Sequence, residues 1–318
     1  MTTLDTASLT GAVSRQGQKN LAGDPLQLFL RVASSQVMTA FEERNFFSTR
    51  ITQMTIQNGK SEIFPIIGRR RGASEHTPGD QLIGGSMEHN EREITLDPIL
   101  VDSLFRAEID DLMAYYDASA PYMTQLGESL STAYDRRAAI MMVLASRNFT
   151  PSYAGAPVPA AKISHINMAT DPIQLENAAA ATFTRFQEQD ISGSKPTMFL
   201  PFAQQMLLAR ASMLDTTFTT GQADRGNATI GKLAGLDVVG VNHLPNTLIT
   251  TGNTKYQGDF TKTVGVISTP MSVGCLNLRG LKLSVTQKED RLGWLMIASK
   301  ACGFGQLRPE CAQEFGTP

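Results

Sequence analysis

A chain of 318 residues, 42% hydrophobic and 18% charged, has enough apolar material for a sizeable core in one large domain or two intimate ones. Its formal net charge of -2 argues against a dedicated nucleic-acid reader, because neutralising duplex phosphates takes a clear basic excess, and leaves only weak, non-specific contact with DNA. Cys275, Cys302 and Cys311 form no CxxC pair and fit free thiols in a reducing compartment, while the polar start and the lack of about 18 consecutive uncharged apolar residues predict neither a signal peptide nor a membrane partner.

Residues 1–23, rich in Thr, Ser, Gly, Gln and Ala, read as an arm that cannot bury enough apolar surface to order itself. The apolar residues between Pro25 and Phe41 predict a short helical segment laid on something hydrophobic. Period two takes over at 51–68, where two strand-like pieces meet at the turn Asn58-Gly59. A Gly-rich polar stretch with Arg69, Arg70 and Arg71 runs to Glu91, and a strand resumes at 93–97. Such a long two-stranded excursion is marginal in water alone, so its natural cover is a neighbouring subunit.

Val101, Leu104, Phe105, Ile109, Leu112, Met113 and Tyr116 then predict a helix ending near Asp117. A second helix starts at Pro121 and runs to about Arg147, about 40 Å at 1.5 Å per residue. The proline-rich stretch 151–161 marks a boundary. Beyond it lie a helix over 173–189, a strand at 197–200 feeding a helix begun by Pro201, and a buried strand at 236–241 before a loop over 242–258. Strand material at 276–285, a charged turn at 287–291 and a return strand over 292–298 complete an α+β chain.

No arrangement of residues carries a recognisable chemistry, so no catalytic residue, cofactor or metal is expected. Asn58-Gly59-Lys60-Ser61 has the end of a phosphate loop, but Met54 stands where its first glycine belongs. His76, His89, His165 and His243 lack ligand spacing and read as exposed loop histidines. Glu108 and Asp111 share a helical face with Asp110 turned away, which fits a solvated or interface-facing acidic patch better than an acid/base pair. The three arginines fit carboxylates of an adjoining subunit better than phosphate, because a guanidinium fork matches a carboxylate bidentately. Acidic partners are available at Glu108, Asp110 and Asp111, or in the turn Lys288-Glu289-Asp290-Arg291 of a neighbour.

Seven segments taken in order, DPLQLFLRV (24–32), TAFEERNFFSTR (39–50), GKSEIFPIIGR (59–69), EITLD through MAYYD (93–117), YMTQLGESLS (122–131), GLDVVGVNHL (235–244) and GQLRPECA (305–312), resemble the major capsid proteins of T-seven-like podophages (autographiviruses). The resemblance implies the Hong Kong 97 capsid fold, with an N-terminal arm over 1–50 and an extended hairpin, the E-loop, over 51–98. A peripheral domain over 99–165, with its spine helix at about 121–147, would be completed by 273–318, and an axial domain would occupy 166–272. It implies a shell protein made in the bacterial host cytoplasm and carried in the virion, assembling with itself into pentamers and hexamers around double-stranded DNA and meeting a portal protein. The 23 residues ahead of Asp24 are too few for a fused scaffolding domain, so a separate scaffolding protein is expected. Some relatives link subunits through an E-loop lysine; here no lysine lies between Lys60 and Lys162, which predicts a non-covalent shell. An encapsulin-like compartment protein and a small-ligand enzyme are the competing readings.

Overall fold

The computed structural model describes residues 46–70, 73, 75–79, 81, 84–113, 119–191, 195–211 and 232–318. The expected arm, the helical segment before Phe41, Arg71 and parts of the hairpin tip lie outside the described residues.

After a 3-10 turn at Ser48–Arg50, the chain forms β1 (Thr52–Thr55), β2 (Ser61–Ile67), β3 (His89–Thr95) and β4 (Leu100–Ala107). Helices α1 (Glu108–Met113) and α2 (Ser119–Ser146) follow. Next come β5 (Ile163–Ser164), α3 (Pro172–Glu188), β6 (Thr197–Leu200) and α4 (Phe202–Arg210). Short strands β7 (Lys232–Leu233), β8 (Leu236–Gly240), β9 (Leu248–Ile249) and β10 (Gly258–Asp259) lead to β11 (Thr263–Ser268). The chain closes with β12 (Val273–Lys288), β13 (Gly293–Gln306) and β14 (Ala312–Gly316).

Two compact units result, and β12 and β13 contribute to both. One unit contains Val101–Leu130 and Lys282–Ser299. Here the structure corrects the helix expected from Val101: residues 100–107 are the edge strand β4 beside β13, and among the described residues the helix begins only at Glu108, with α1. Val101, Ser103 and Phe105 are exposed and alternate with half-buried Leu100, Asp102 and Leu104, a period of two that strand pairing selects over the helical spacing also present. The approach to β13 is close, since a Cβ on Gly293 would lie 2.3 Å from the Arg106 carbonyl oxygen.

The other unit contains Asn45–Leu100, Ser131–Leu281 and Lys300–Pro318. Its centre is the second half of α2, where Tyr134, Ala138, Ala139, Met141, Met142, Val143 and Ala145 are all buried. A helix apolar nearly all round has to run through a core. A six-stranded sheet, in the order β5-β14-β11-β6-β8-β7, separates that core from a second one under α3 and α4. Alternation along β6 divides the two: Phe199 packs in the core around α2, while Met198 and Leu200 pack in the core with Leu175 and Phe186 of α3. Local chemistry sets both ends of α3. The Asp171 carboxylate accepts from the Ile173 N–H ahead of Pro172, and Asp190, at φ 54°, lets the Ile191 N–H return to the Phe186 carbonyl at 2.8 Å.

The hairpin is β2 paired antiparallel with β3, from Ser61 opposite Thr95 to Ile67 opposite His89. The expected pairing of the two pieces around Asn58-Gly59 does not occur. β1 instead pairs parallel with β12, Thr52 opposite Gly274, and the turn at Gly59 (φ 114°) only redirects the chain into β2. Ile56, Phe64, Ile94, Leu276 and Leu307 form a small core under the hairpin root.

Candidate assembly surfaces

The pleat of the hairpin gives it two unlike faces. Phe64 and Ile66 of β2 and Ile94 of β3 point inward and are buried. The opposite face carries the cross-strand pairs Ile63 with Glu93, Pro65 with Glu91 and Ile67 with His89, all six residues exposed. The root is anchored twice. At one end the Gly68 N–H donates to the Glu88 carbonyl at 2.8 Å, and Arg308 Nη2 donates to the Ile67 carbonyl at 2.9 Å. At the other, the buried Asp97 carboxylate accepts from Tyr256 Oη and from Lys255 Nζ at 3.1 Å, with Arg137 3.9 Å away. Burial, the Asp97 hydrogen bond and the Asp97 charge together push the Tyr256 phenol above its ordinary range.

Arg69 and Arg70 of the arginine cluster meet partners in their own chain. Arg69 Nη1 lies 2.7 Å from the Asp190 carbonyl and 3.4 Å from its carboxylate, and Arg70 Nη1 lies 3.3 Å from the Gly85 carbonyl. Asp190 carries no signal in sequence beyond its place just past α3. Arg71 and the side chains of Asp110 and Asp111 lie outside the described residues; Glu108 is exposed at the start of α1. Lys288, Glu289, Asp290 and Arg291 are all exposed around the turn joining β12 to β13, and Arg291 Nε stands 3.9 Å from the Asp290 carboxylate. Outward-facing Lys282 joins Lys288 on the exposed half of β12.

Beneath the hairpin root lies a groove of about 450 Å³ lined by Ile67, Arg69, Tyr153, Asp190, Arg308 and Glu310, among others. Glu310 is 2% exposed, with one carboxylate oxygen taken by the Ser152 hydroxyl. Elsewhere in the same unit, Arg147 at the end of α2 grips Glu314 of β14 with two bonds, Nε to Oε2 at 2.6 Å and Nη2 to Oε1 at 2.8 Å. The same guanidinium donates to the Asp259 carbonyl at 2.6 Å, and the Glu314 hydrogen bond raises its pKa.

Among the described residues no group of three His, Cys, Asp or Glu is placed to hold a metal ion. The three thiols are free and buried, and burial pushes Cys275 and Cys311 up to about 12. His76 and His89 are exposed, as expected, but His165 is half-buried and His243 is buried, its ring 6.5 Å from that of Phe46. Burial there follows from Val241 and Leu244, apolar neighbours that draw the segment into the core around α2.

A family model described as Gp10A-like major capsid protein matches residues 63–315. The major capsid protein of Enterobacteria phage T3 is 28% identical over 329 residues, covering 94% of each chain. That of Escherichia phage T7 is 28% identical over 340 residues, covering 96% of this chain and 97% of its own. The capsid structure of Cyanophage P-SCSP1u superposes with a TM-score of 0.79 at 27% identity, over 92% of this chain and 94% of that one. The architecture is the Hong Kong 97 capsid fold. With the family model spanning well over half of its length and these relatives matching nearly all of it, the chain belongs to the Gp10A-like major capsid protein family.

Proposed function

We propose that this capsid protein closes into an icosahedral shell around a double-stranded DNA genome, as pentamers and hexamers of itself, with the β2–β3 hairpin crossing onto the adjacent subunit. The observation that carries the reading is the outer hairpin face. Ile63 and Ile67 are 46% and 55% exposed in a row beside Glu91 and Glu93. Completing the burial of each isoleucine contributes about 1 kcal/mol, part of the roughly 1.5–3 kcal/mol for a whole large aliphatic side chain. The acidic rim calls for a basic receptor, and Lys282 and Lys288 on β12 of the neighbour supply one.

On this reading residues 1–50 are the arm, 51–98 the crossing hairpin, and 166–272 the axial domain around the five- and six-fold centres. The peripheral parts, 99–165 and 273–318, meet at three-fold positions. Arg69, Arg70 and Arg71 add salt-dependent contacts between subunits, with Glu108, Asp110 and Asp111 or the Lys288–Arg291 turn as their acidic side. Individually weak contacts leave curvature to be set by a separate scaffolding protein, and one vertex is given over to a portal protein. DNA is touched without sequence preference, and no catalysis is involved. Synthesis in the host cytoplasm suits three buried free thiols. Non-covalent contacts hold the shell, because residues 61–161 contain no lysine.

The test is charge reversal on the hairpin. Glu91→Lys with Glu93→Lys abolishes shells when the chain is co-expressed with a scaffolding protein, while subunit melting stays within about 0.5 kcal/mol because both sites are exposed. Adding Lys282→Glu and Lys288→Glu restores them. Unchanged shell yield in the first variant contradicts the assignment.

A further inference from the structure

We infer that the groove beneath the hairpin root is a socket for the Lys288–Leu292 turn of a second copy, with that copy's Arg291 reaching Glu310. The inference rests on the shell reading and names one of its contacts. Glu310 supplies the reason. It is 2% exposed, and its Oε2 has no hydrogen-bond partner among the described residues, a costly state for a carboxylate oxygen.

The cations nearby are engaged elsewhere. Arg308 is bonded to the Ile67 carbonyl and lies over the Tyr153 ring, with its guanidinium carbon 6.0 Å from the centroid. Arg185 gives Nη1 to Gln313 and Nη2 to the Glu310 carbonyl, and Arg69 is paired with Asp190. With the hydrogen bonds of these three arginines spent on other atoms, the donor we assign to Glu310 Oε2 comes from a second copy, the alternative being a water trapped against the unpartnered Arg185 Nε. At the mouth, the Arg69–Asp190 pair is 54% and 58% exposed, so it exchanges partners at little cost. Ile67 and Met271 add an apolar rim, 55% and 43% exposed.

The turn between β12 and β13 presents the complementary set on a narrow tip. Arg291 and Asp290 are 74% and 72% exposed and adjacent, and Leu292, held at φ 47°, is 71% exposed. Arg291 directed inward meets Glu310, Asp290 meets the guanidinium of Arg69 or Arg308, and Leu292 covers Ile67 and Met271. A space of about 450 Å³ admits one long side chain with its hydration.

The experiment is disulfide capture in assembled shells. Chains carrying Asp190→Cys and chains carrying Arg291→Cys, differently tagged and each checked for normal subunit melting, are mixed at low proportion into parent chains so that shells close. Oxidation then yields covalent pairs containing one of each tag. In parallel, Glu310→Gln and Arg291→Ala each speed shell dissociation about tenfold, and the double variant is no faster than either alone. Intact shells without mixed pairs overturn the proposal. So do independent, additive effects of the two variants, the signature of a trapped water at Glu310 only. If the parent chain forms no shells, the shell reading falls and the socket with it; closed shells without links refute the socket alone.

Discussion

Arg147→Met tests how the end of α2 is tied to β14. The substitution keeps most of the aliphatic volume and removes four hydrogen bonds: two to the Glu314 carboxylate, one to Thr263 Oγ1 at 3.1 Å and one to the Asp259 carbonyl. Glu314, 1% exposed on its side chain, keeps the hydrogen bond from the Thr263 hydroxyl at 2.7 Å and the more distant charge of Lys162. Breaking one side of a buried pair costs about 3–5 kcal/mol. The Arg147 side chain is 32% exposed, so solvent screening places the cost near the bottom of that range, at about 3 kcal/mol. Urea unfolding of unassembled subunits measures it, and a thermal scan should fall by roughly 6–12 °C at about 2–4 °C per kcal/mol. Pairing the change with Glu314→Leu recovers most of the loss, because the carboxylate is no longer stranded. A loss under about 0.5 kcal/mol, or a double variant whose losses simply add, refutes the reasoning.

Gly68→Ala sets a Cβ 2.6 Å from the Glu88 carbonyl oxygen and 3.0 Å from the Tyr153 ring; it should cost about 1–3 kcal/mol and expose the hairpin to limited proteolysis, and unchanged cleavage counts against a rigid root. Cys275 and Cys311, raised by burial from 9.0 to about 12, favour the folded state fully below about pH 9 and lose that contribution as pH climbs through about 12. Urea midpoints should therefore decline from pH 9 upward while a thiol reagent labels nothing in the native subunit at pH 8; native labelling contradicts their burial. Replacing Arg69, Arg70 and Arg71 by alanine should cut shell yield and flatten its salt dependence, yet shift subunit melting by no more than the roughly 0.2–1 kcal/mol of the exposed Arg69–Asp190 pair. Normal shells with unchanged salt sensitivity would make the cluster a solvated loop, and collapsed melting would make it part of the fold.

Long periodic elements were legible from sequence because repetition along one face outweighs local ambiguity. The spine helix expected from Pro121 to about Arg147 is α2, Ser119–Ser146, and the helix expected over 173–189 is α3, Pro172–Glu188, with its Asp-Pro start. The β6–α4 connection at Pro201 and the long β12–β13 ribbon are likewise present. β4 was not legible as a strand. Val101, Leu104 and Phe105 satisfy a helical template as well as an alternating one, and β13, far along the chain, decides between them. The parallel partner of β1 is equally remote, so Asn58-Gly59 mimicked a hairpin turn. At the candidate surfaces, the charged turn and the arginine cluster could be read as composition. Asp190, Asp97 and Glu310 could not, since each matters only through groups that folding brings from distant segments.

The measurement that bears most directly on the account is a cryo-electron microscopy reconstruction of particles formed by this chain with a scaffolding protein. The account predicts closed shells of pentamers and hexamers in which Ile63, Pro65 and Ile67 of each subunit are covered by the next one, with Glu91 and Glu93 against its Lys282 and Lys288. Small discrete oligomers, or shells that leave the outer face of the β2–β3 hairpin in solvent, would contradict it.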